Sequence, residues 1–249
     1  MSAARTSSSR RGRENARRAL PCAAAIPAPV VKPLFTEEEH ARIREAVAAA
    51  ERATAGEIVP YVVQRSGQYE VAIWRGAGLL ALLAATVALL VAYQYDGWGL
   101  GWLYSTGGAL LVVLLGALAG GLLVAFVPAL RRRLAGEERL SEQVHRRASL
   151  AFLEEEVFDT RDRTGILLFV SLFEHRIEVL GDAGINAKVR PEEWVEVVDR
   201  IRHGIRAGRL ADGLVDAIGK CGELLHRRGV ALRDDDTDEL SDAVRFRPE

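Results

Sequence analysis

The chain is poor in cysteine, lysine, histidine and methionine, and these scarcities close off several kinds of chemistry. Its two cysteines, Cys22 and Cys221, stand far apart with no CxxC-type pair. A disulfide framework and a cysteine zinc site both need clustered cysteines, so neither is supported. The five histidines, at positions 40, 145, 175, 203 and 226, show no HxxxH or HExxH spacing, which removes support for a zinc hydrolase. Ser66, Ser141, Ser149 and Ser171 lack a GxSxG context. The segment from Gly213 to Lys220 imitates a phosphate loop, but five residues separate its glycines, and Cys221 stands where Ser or Thr is required. Lysine occurs only at 32, 188 and 220, so positive charge is almost all arginine. With abundant alanine and glycine, that is the compositional habit of a GC-rich bacterial genome. The net charge of −1 conceals strong local asymmetry, and only the asymmetry is informative.

Long uncharged runs are what the chain has in plenty. From Gly76 to Tyr93 there is no charge, and a second run extends from Leu100 to Leu130. At about 1.5 Å per residue each is long enough to cross about 30 Å of hydrocarbon. The six residues between them, Gln94 to Gly99, hold a single charge, Asp96. The expectation is a transmembrane helical hairpin over 73–130, with spans at about 76–95 and 104–128. Trp98, Trp102 and Tyr104 at one rim and Trp74 at the other suit interfacial belts. Arg65 and Arg75 precede the first span and Arg131-Arg132-Arg133 with Arg139 follow the second, whereas the link has no Lys or Arg. The positive-inside rule then places both termini and the soluble parts in the cytoplasm, with the protein multi-pass in the cell (inner) membrane. Gly116 and Gly120 form a GxxxG, a spacing that suits close helix packing and admits a homo-oligomer through the hairpin.

Soluble segments flank the hairpin. Residues 1–33, with six arginines from Arg5 to Arg18 and four prolines, read as a disordered basic tail. Prolines break Leu20 to Val31, so no signal-peptide core is expected there, and the basic run reads as a solvated tail with no nucleic-acid partner. Met1 is the only methionine, which leaves open a start at a valine codon such as Val30 or Val31. Thr36-Glu37-Glu38-Glu39 is a capping box that opens a helix carrying Ile43, Ala46, Val47 and Ala50 on one face. Ile58 to Val63 reads as a strand, and Pro60 pushes it toward an edge or places the proline among its first residues. Beyond the hairpin, Leu140, Val144, Ala148, Ala151 and Phe152 mark a helix. Ile166 to Val170 and Arg176 to Leu180 form an antiparallel strand pair turning at Glu174-His175. Two more helices follow, one carrying Trp194, Val197, Val198, Ile201 and Ile205, the other Leu214, Ile218, Cys221 and Leu225. Residues 229–249 read as an acidic disordered tail. Parts 34–72 and 131–228 are each too small to bury a core, so they are expected to fold together on one side of the membrane.

Three stretches carry a family resemblance. They are Ala53-Thr54-Ala55-Gly56-Glu57-Ile58-Val59-Pro60, the long run from Thr160 through Asp162, Gly165, Phe169, Glu174 and Gly181 to Ile185, and Gly208-Arg209-Leu210-Ala211-Asp212-Gly213-Leu214-Val215-Asp216-Ala217-Ile218. From Phe35 to about Leu225 the chain resembles the TPM domain family, in particular a bacterial branch of membrane proteins in which two spans split the domain. The resemblance implies a small α/β/α sandwich around a short mixed sheet, here interrupted by the hairpin. Family roles include photosystem repair with acid phosphatase activity and divalent-metal binding in plants, and receptor modulation in animals. More typical members carry a signal peptide and lie outside the cytoplasm, which this chain does not match.

The best candidate cluster is Asp159, Asp162 and Asp182 with Arg161 and Arg163. If the strand ends converge, hard carboxylate oxygens suit Mg²⁺ or Ca²⁺, and the arginines could hold a phosphate bidentately. Ordinary solvated charge at a helix end and a turn accounts for the same residues. Glu174, Arg176 and Glu178 are expected to share one exposed face of the strand pair, as surface pairs or a partner-binding patch. No nucleophile, base and charge stabiliser assemble at fixed spacing. The favoured expectation is therefore a noncatalytic interaction or assembly module at the cytoplasmic face, acting on another membrane protein or complex. The alternative is a metal-dependent phosphoesterase.

Overall fold

A computed structural model describes residues 34–94, 101, 105–230 and 240–247. The expectations for residues 1–33, for Trp98, Trp102 and Tyr104, and for 231–239 and 248–249 of the acidic tail fall outside them. The chain opens with helix α1 (Glu37–Glu51), strand β1 (Glu57–Val63) and the two long helices α2 (Glu70–Gln94) and α3 (Thr106–Phe126). Short α4 (Pro128–Ala135) and α5 (Glu137–Glu154) lead to β2 (Gly165–Ser171) and β3 (Arg176–Gly181). One-turn α6 (Ala183–Asn186), a 3-10 turn (Pro191–Trp194), α7 (Val195–Arg206), α8 (Leu210–Arg227) and β4 (Arg245–Arg247) complete it. At the start of α1 the capping box is complete: Glu39 N donates to Thr36 Oγ1 at 3.2 Å, and Thr36 N donates to Glu39 Oε2 at 2.7 Å.

The strands form one mixed sheet in the order β3-β2-β1-β4, with β1 parallel to β2 and β4 and β2 antiparallel to β3. The parallel β1–β2 pair needs a crossover. Helix α5 supplies it, and α2 to α4 are inserted between β1 and α5. Pro60 is therefore inside the sheet rather than on an edge strand. Glu57 N donates to Thr164 O toward β2, and Gln64 N donates to Arg247 O toward β4. Alternation turns Pro60 nitrogen to the β4 side, where β4 pairs only from Tyr61 onward. No ladder bond is lost.

Two apolar layers sandwich the sheet. Ile58, Val62, Ile166, Leu168 and Val170 pack against α1, α7 and α8. Val59, Tyr61, Val63, Leu167 and Phe169 pack against α5. This alternation is the period-two pattern of a sheet covered on both faces. The acidic-tail expectation fails for its end. Val244 is buried, Phe246 packs on the core, and Arg245 Nε meets Glu155 Oε2 at 2.9 Å. A three-residue strand is too short to show periodicity in sequence.

Helices α2 and α3 pack antiparallel, and both are long and apolar enough to cross a membrane. Gly116 and Gly120 face α2 of their own chain. A Cβ at Gly116 would lie 2.8 Å from Ala84 Cβ and 2.9 Å from Leu80 O, and one at Gly120 would fall on Gly76 O. These glycines are thus occupied within the chain, which takes the GxxxG away from the homo-oligomer expectation. Gly78 on α2 has open space. Gly120→Val should cost about 1–3 kcal/mol by overpacking and lower the melting temperature in detergent. Gly78→Val should leave it unchanged in the same thermal scan.

Candidate functional site

The predicted acidic cluster is structural. Asp182 is 7 % exposed and caps α6, its Oδ1 accepting from Ala183 N at 2.6 Å. Its Oδ2 lies 2.8 Å from Arg163 Nε, off the line of a hydrogen bond, so the contact is an ion pair. Arg163 sits in the left-handed region at φ 58°, over the Phe158 ring, and its carbonyl accepts from Gly184 N at 2.9 Å. Gly184 must be glycine-sized, because a Cβ would strike the Asp162 and Arg163 carbonyls. Asp182, Arg163 and the Asp162 backbone therefore meet as a turn lock. Asp159, Asp162 and Asp182 do not converge. Among the described residues no group of three or more His, Cys, Asp or Glu is placed to hold a metal ion. The Mg²⁺ or Ca²⁺ expectation for these residues fails because the Asp182 oxygens already face a helix cap and a guanidinium. Nor does Arg163 stand ready for phosphate, with Asp182 beside it. Arg161 has polar interactions of its own.

The most deeply buried polar network lies elsewhere, at Glu174. Sequence reading placed Glu174 on an exposed face with Arg176 and Glu178, but it is 5 % exposed. Its Oε1 accepts from Ser66 N at 2.9 Å and from the Tyr69 hydroxyl at 2.6 Å, and its Oε2 accepts from the Ser171 hydroxyl. Ser66 Oγ and Ser171 Oγ are 2.7 Å apart. A buried carboxylate is tolerated only when donors surround it, and here three do. Desolvation first, and the bond to Glu174 second, push the Tyr69 phenol far above its ordinary value.

This network joins two distant stretches, the β2–β3 turn and the segment that enters α2. Around it Tyr69, Ala72, Val124, Ala135 and Leu140 form a small apolar core with Phe173, and Tyr69 stacks on Phe173 at 5.5 Å. Two arginines tie off helix ends, Arg75 Nη1 donating to Leu134 O at 2.7 Å and Arg131 Nη2 to Ala125 O at 2.7 Å, while Arg132 Nη1 donates to Phe173 O in the β2–β3 turn at 3.3 Å. Cations at helix C-termini match the helix dipole. The antiparallel pair β2–β3 is as expected, but its turn takes four residues, Leu172 to His175, rather than Glu174-His175 alone, with His175 left-handed at φ 54°. Its imidazole pKa is lowered, by partial desolvation first and the Arg132 guanidinium second. The Cys221 thiol is buried in α8, and desolvation pushes its pKa far up, so it is no nucleophile.

On the outer side of β3, His145 Nδ1 meets Glu178 Oε1 at 2.5 Å and Arg176 Nη2 meets Glu137 Oε2 at 2.6 Å. Arg176 and Glu178 are thus the surface pairs expected of that strand face. A hollow of about 300 Å³ lies beside them, lined in part by Ser141, His145, His175 and Arg202.

No protein-family model matches the chain, and no curated protein matches it. Among solved structures, its fold is similar to the NMR structure of the BA42 protein from the psychrophilic bacterium Bizionia argentinensis. The TM-score is 0.52 at 19 % identity, over 87 % of this chain and 97 % of that one. At that identity the likeness speaks for the fold alone.

Tyr69→Phe removes one donor from a buried carboxylate and should cost about 1–3 kcal/mol in chemical denaturation. Arg132→Ala should raise the His175 pKa toward its ordinary value, read by NMR titration. The native pKa of His175 lies below the unfolded one, so the unfolded chain binds more protons between the two. His175 therefore favours folding fully above the unfolded value of about 6.5 and loses that contribution as pH falls through the folded value.

Proposed function

We propose that the protein is a membrane-anchored, TPM-like α/β/α domain that serves as a noncatalytic interaction or assembly module at the cytoplasmic face of the cell membrane. The observation that carries the anchoring is what α2 and α3 leave uncovered. Twelve leucines on these two helices are exposed, with Trp74 76 % and Phe126 80 % exposed near one end of the pair. Leaving such side chains in water costs about 1.5–3 kcal/mol each relative to burial. The total exceeds the roughly 5–15 kcal/mol that holds a domain folded. Lipid is the cover that suits two helices apolar all round. Trp74 suits an interfacial belt, and Arg65, Arg75, Arg131, Arg132, Arg133 and Arg139 supply the positive-inside asymmetry.

The noncatalytic half of the proposal rests on the geometry of the candidate residues. Asp182 is a cap and ion-pair partner, Glu174 a buried lock and Cys221 an inert core thiol. A phosphoesterase would need a metal-activated water or a carboxylate nucleophile beside a charge stabiliser. In hydrolysis assays on detergent-purified protein, with and without Mg²⁺ or Ca²⁺, we expect no phosphate-ester turnover above that of Asp182→Asn. Metal-dependent turnover lost in a folded Asp182→Asn would overturn the noncatalytic reading. Extraction of membranes at alkaline pH should leave the protein in the pellet, and its release would overturn the anchoring.

A further inference from the structure

Given the anchoring of α2 and α3 in lipid, on which this inference rests, we propose that a collar of arginines at the base of the hairpin binds anionic phospholipids by their phosphodiester headgroups. Helix α3 has 21 residues. At about 1.5 Å per residue it just crosses the roughly 30 Å of the hydrocarbon core. Its last residue, Phe126, is exposed, and so is Trp74 near the start of the neighbouring α2. Chain beyond Phe126 therefore enters the polar headgroup layer. Val127 takes extended backbone and Pro128 opens α4, so the chain bends there instead of running straight out. Leu130, Leu134 and Ala135 of α4 pack in the small core with Ala72 and Val124, which keeps α4 at the hairpin base. Leu140 joins the same core and holds Arg139, its neighbour on α5, at that level.

The charge at this level is positive and uncancelled. Stretches 64–76 and 127–139 hold six arginines, at 65, 75, 131, 132, 133 and 139, against three carboxylates, Glu70, Glu137 and Glu138. Arg176 already holds Glu137. Among the described residues none of the six arginines forms an ion pair. Elsewhere Arg42, Arg163, Arg176, Arg202 and Arg245 each meet a carboxylate. Three of the six meet backbone instead: Arg75 bonds the Leu134 and Ala135 carbonyls, Arg131 that of Ala125 and Arg132 that of Phe173. A carbonyl fixes a guanidinium in place without neutralising it, and each of these arginines is held through a single Nη. Arg133 and Arg139 are exposed, with no hydrogen bond or ion pair among the described residues. The guanidinium fork matches the paired free oxygens of a phosphodiester. Lipid phosphates lie at this depth, and an excess of cations there favours lipid of net negative charge over zwitterionic lipid.

The test uses the full chain in detergent micelles containing equal amounts of phosphatidylglycerol and phosphatidylcholine, with the lipid retained after gel filtration counted by mass spectrometry. Phosphatidylglycerol should be retained about tenfold over phosphatidylcholine, and in Arg133→Gln/Arg139→Gln the preference should fall to about twofold or less. Both side chains are exposed and unbonded, so this variant should melt with the wild type in lipid-free detergent. Arg200→Gln/Arg206→Gln, the same change of charge on α7 outside the hairpin base, should leave the preference intact. For the wild-type chain, raising salt from about 0.1 to about 1 M shortens the Debye length from about 10 to about 3 Å and should erase most of the preference. Inorganic phosphate in excess should not displace the lipid. Equal retention of the two lipids, persistence in high salt, an unchanged preference in Arg133→Gln/Arg139→Gln, an equal loss in the α7 variant, or displacement by inorganic phosphate would each overturn the proposal. Alkaline extraction separates the two readings. A chain that stays in the membrane pellet but shows no lipid preference contradicts the lipid site alone, whereas a chain that is released contradicts the anchoring as well.

Discussion

The buried carboxylate of Glu174 is the interaction on which the architecture turns. It sits where the β2–β3 turn meets the start of α2, and it takes donors from both sides: Ser171 from the sheet, Ser66 and Tyr69 from the approach to the long helix. A carboxylate removed from water without donors is very costly, whereas one with three is well satisfied. The hairpin is therefore held to the domain by a contact with narrow geometry, flanked by a small apolar core. Arg75, Arg131 and Arg132 add bonds to carbonyls at the same junction.

Topology explains why such a junction is needed. A parallel β1–β2 pair demands a long crossover, and the two apolar helices are inserted into it ahead of α5. The sheet closes only when chain from both sides of the insertion comes together: β1 with α1 before it, and α5, β2, β3, α7 and α8 after it. The base of the hairpin is thus stitched to the sheet through β1, α4 and the Glu174 network. On the other flank, β4 adds three residues beside β1, fixed by Arg245 on Glu155. Among the described residues β3 and β4 are thus the two edge strands of the sheet.

Much of this could be read from the sequence, and the residues that could not share a cause. The capping box at Thr36, the apolar runs of β1 and β2, the alternation of β3 and the two uncharged runs are local patterns, and each lies within an element of the expected kind. Pro60 was ambiguous because its cost depends on which neighbour its nitrogen faces, and that is a property of the sheet. Asp182 looked like a ligand because sequence shows a carboxylate but not the amide and guanidinium that engage it. Glu174 looked exposed because it neighbours an alternating strand, yet it belongs to the turn, where alternation no longer applies. Two of its three donors, Ser66 and Tyr69, lie more than one hundred positions away. A serine and a tyrosine just before a long uncharged run were the available hint, and they carry no spacing that points to Glu174.

The most direct test of this account is hydrogen exchange on the protein in nanodiscs, comparing wild type with Glu174→Ala. If Glu174 joins hairpin and sheet, the Ser66 amide, the first turn of α2 and the β2–β3 turn should all lose protection in the variant. The middle of β1 and β2 should stay protected. Protection of the first turn of α2 unchanged while the β2–β3 turn opens would show the two parts to be independent, and would contradict it.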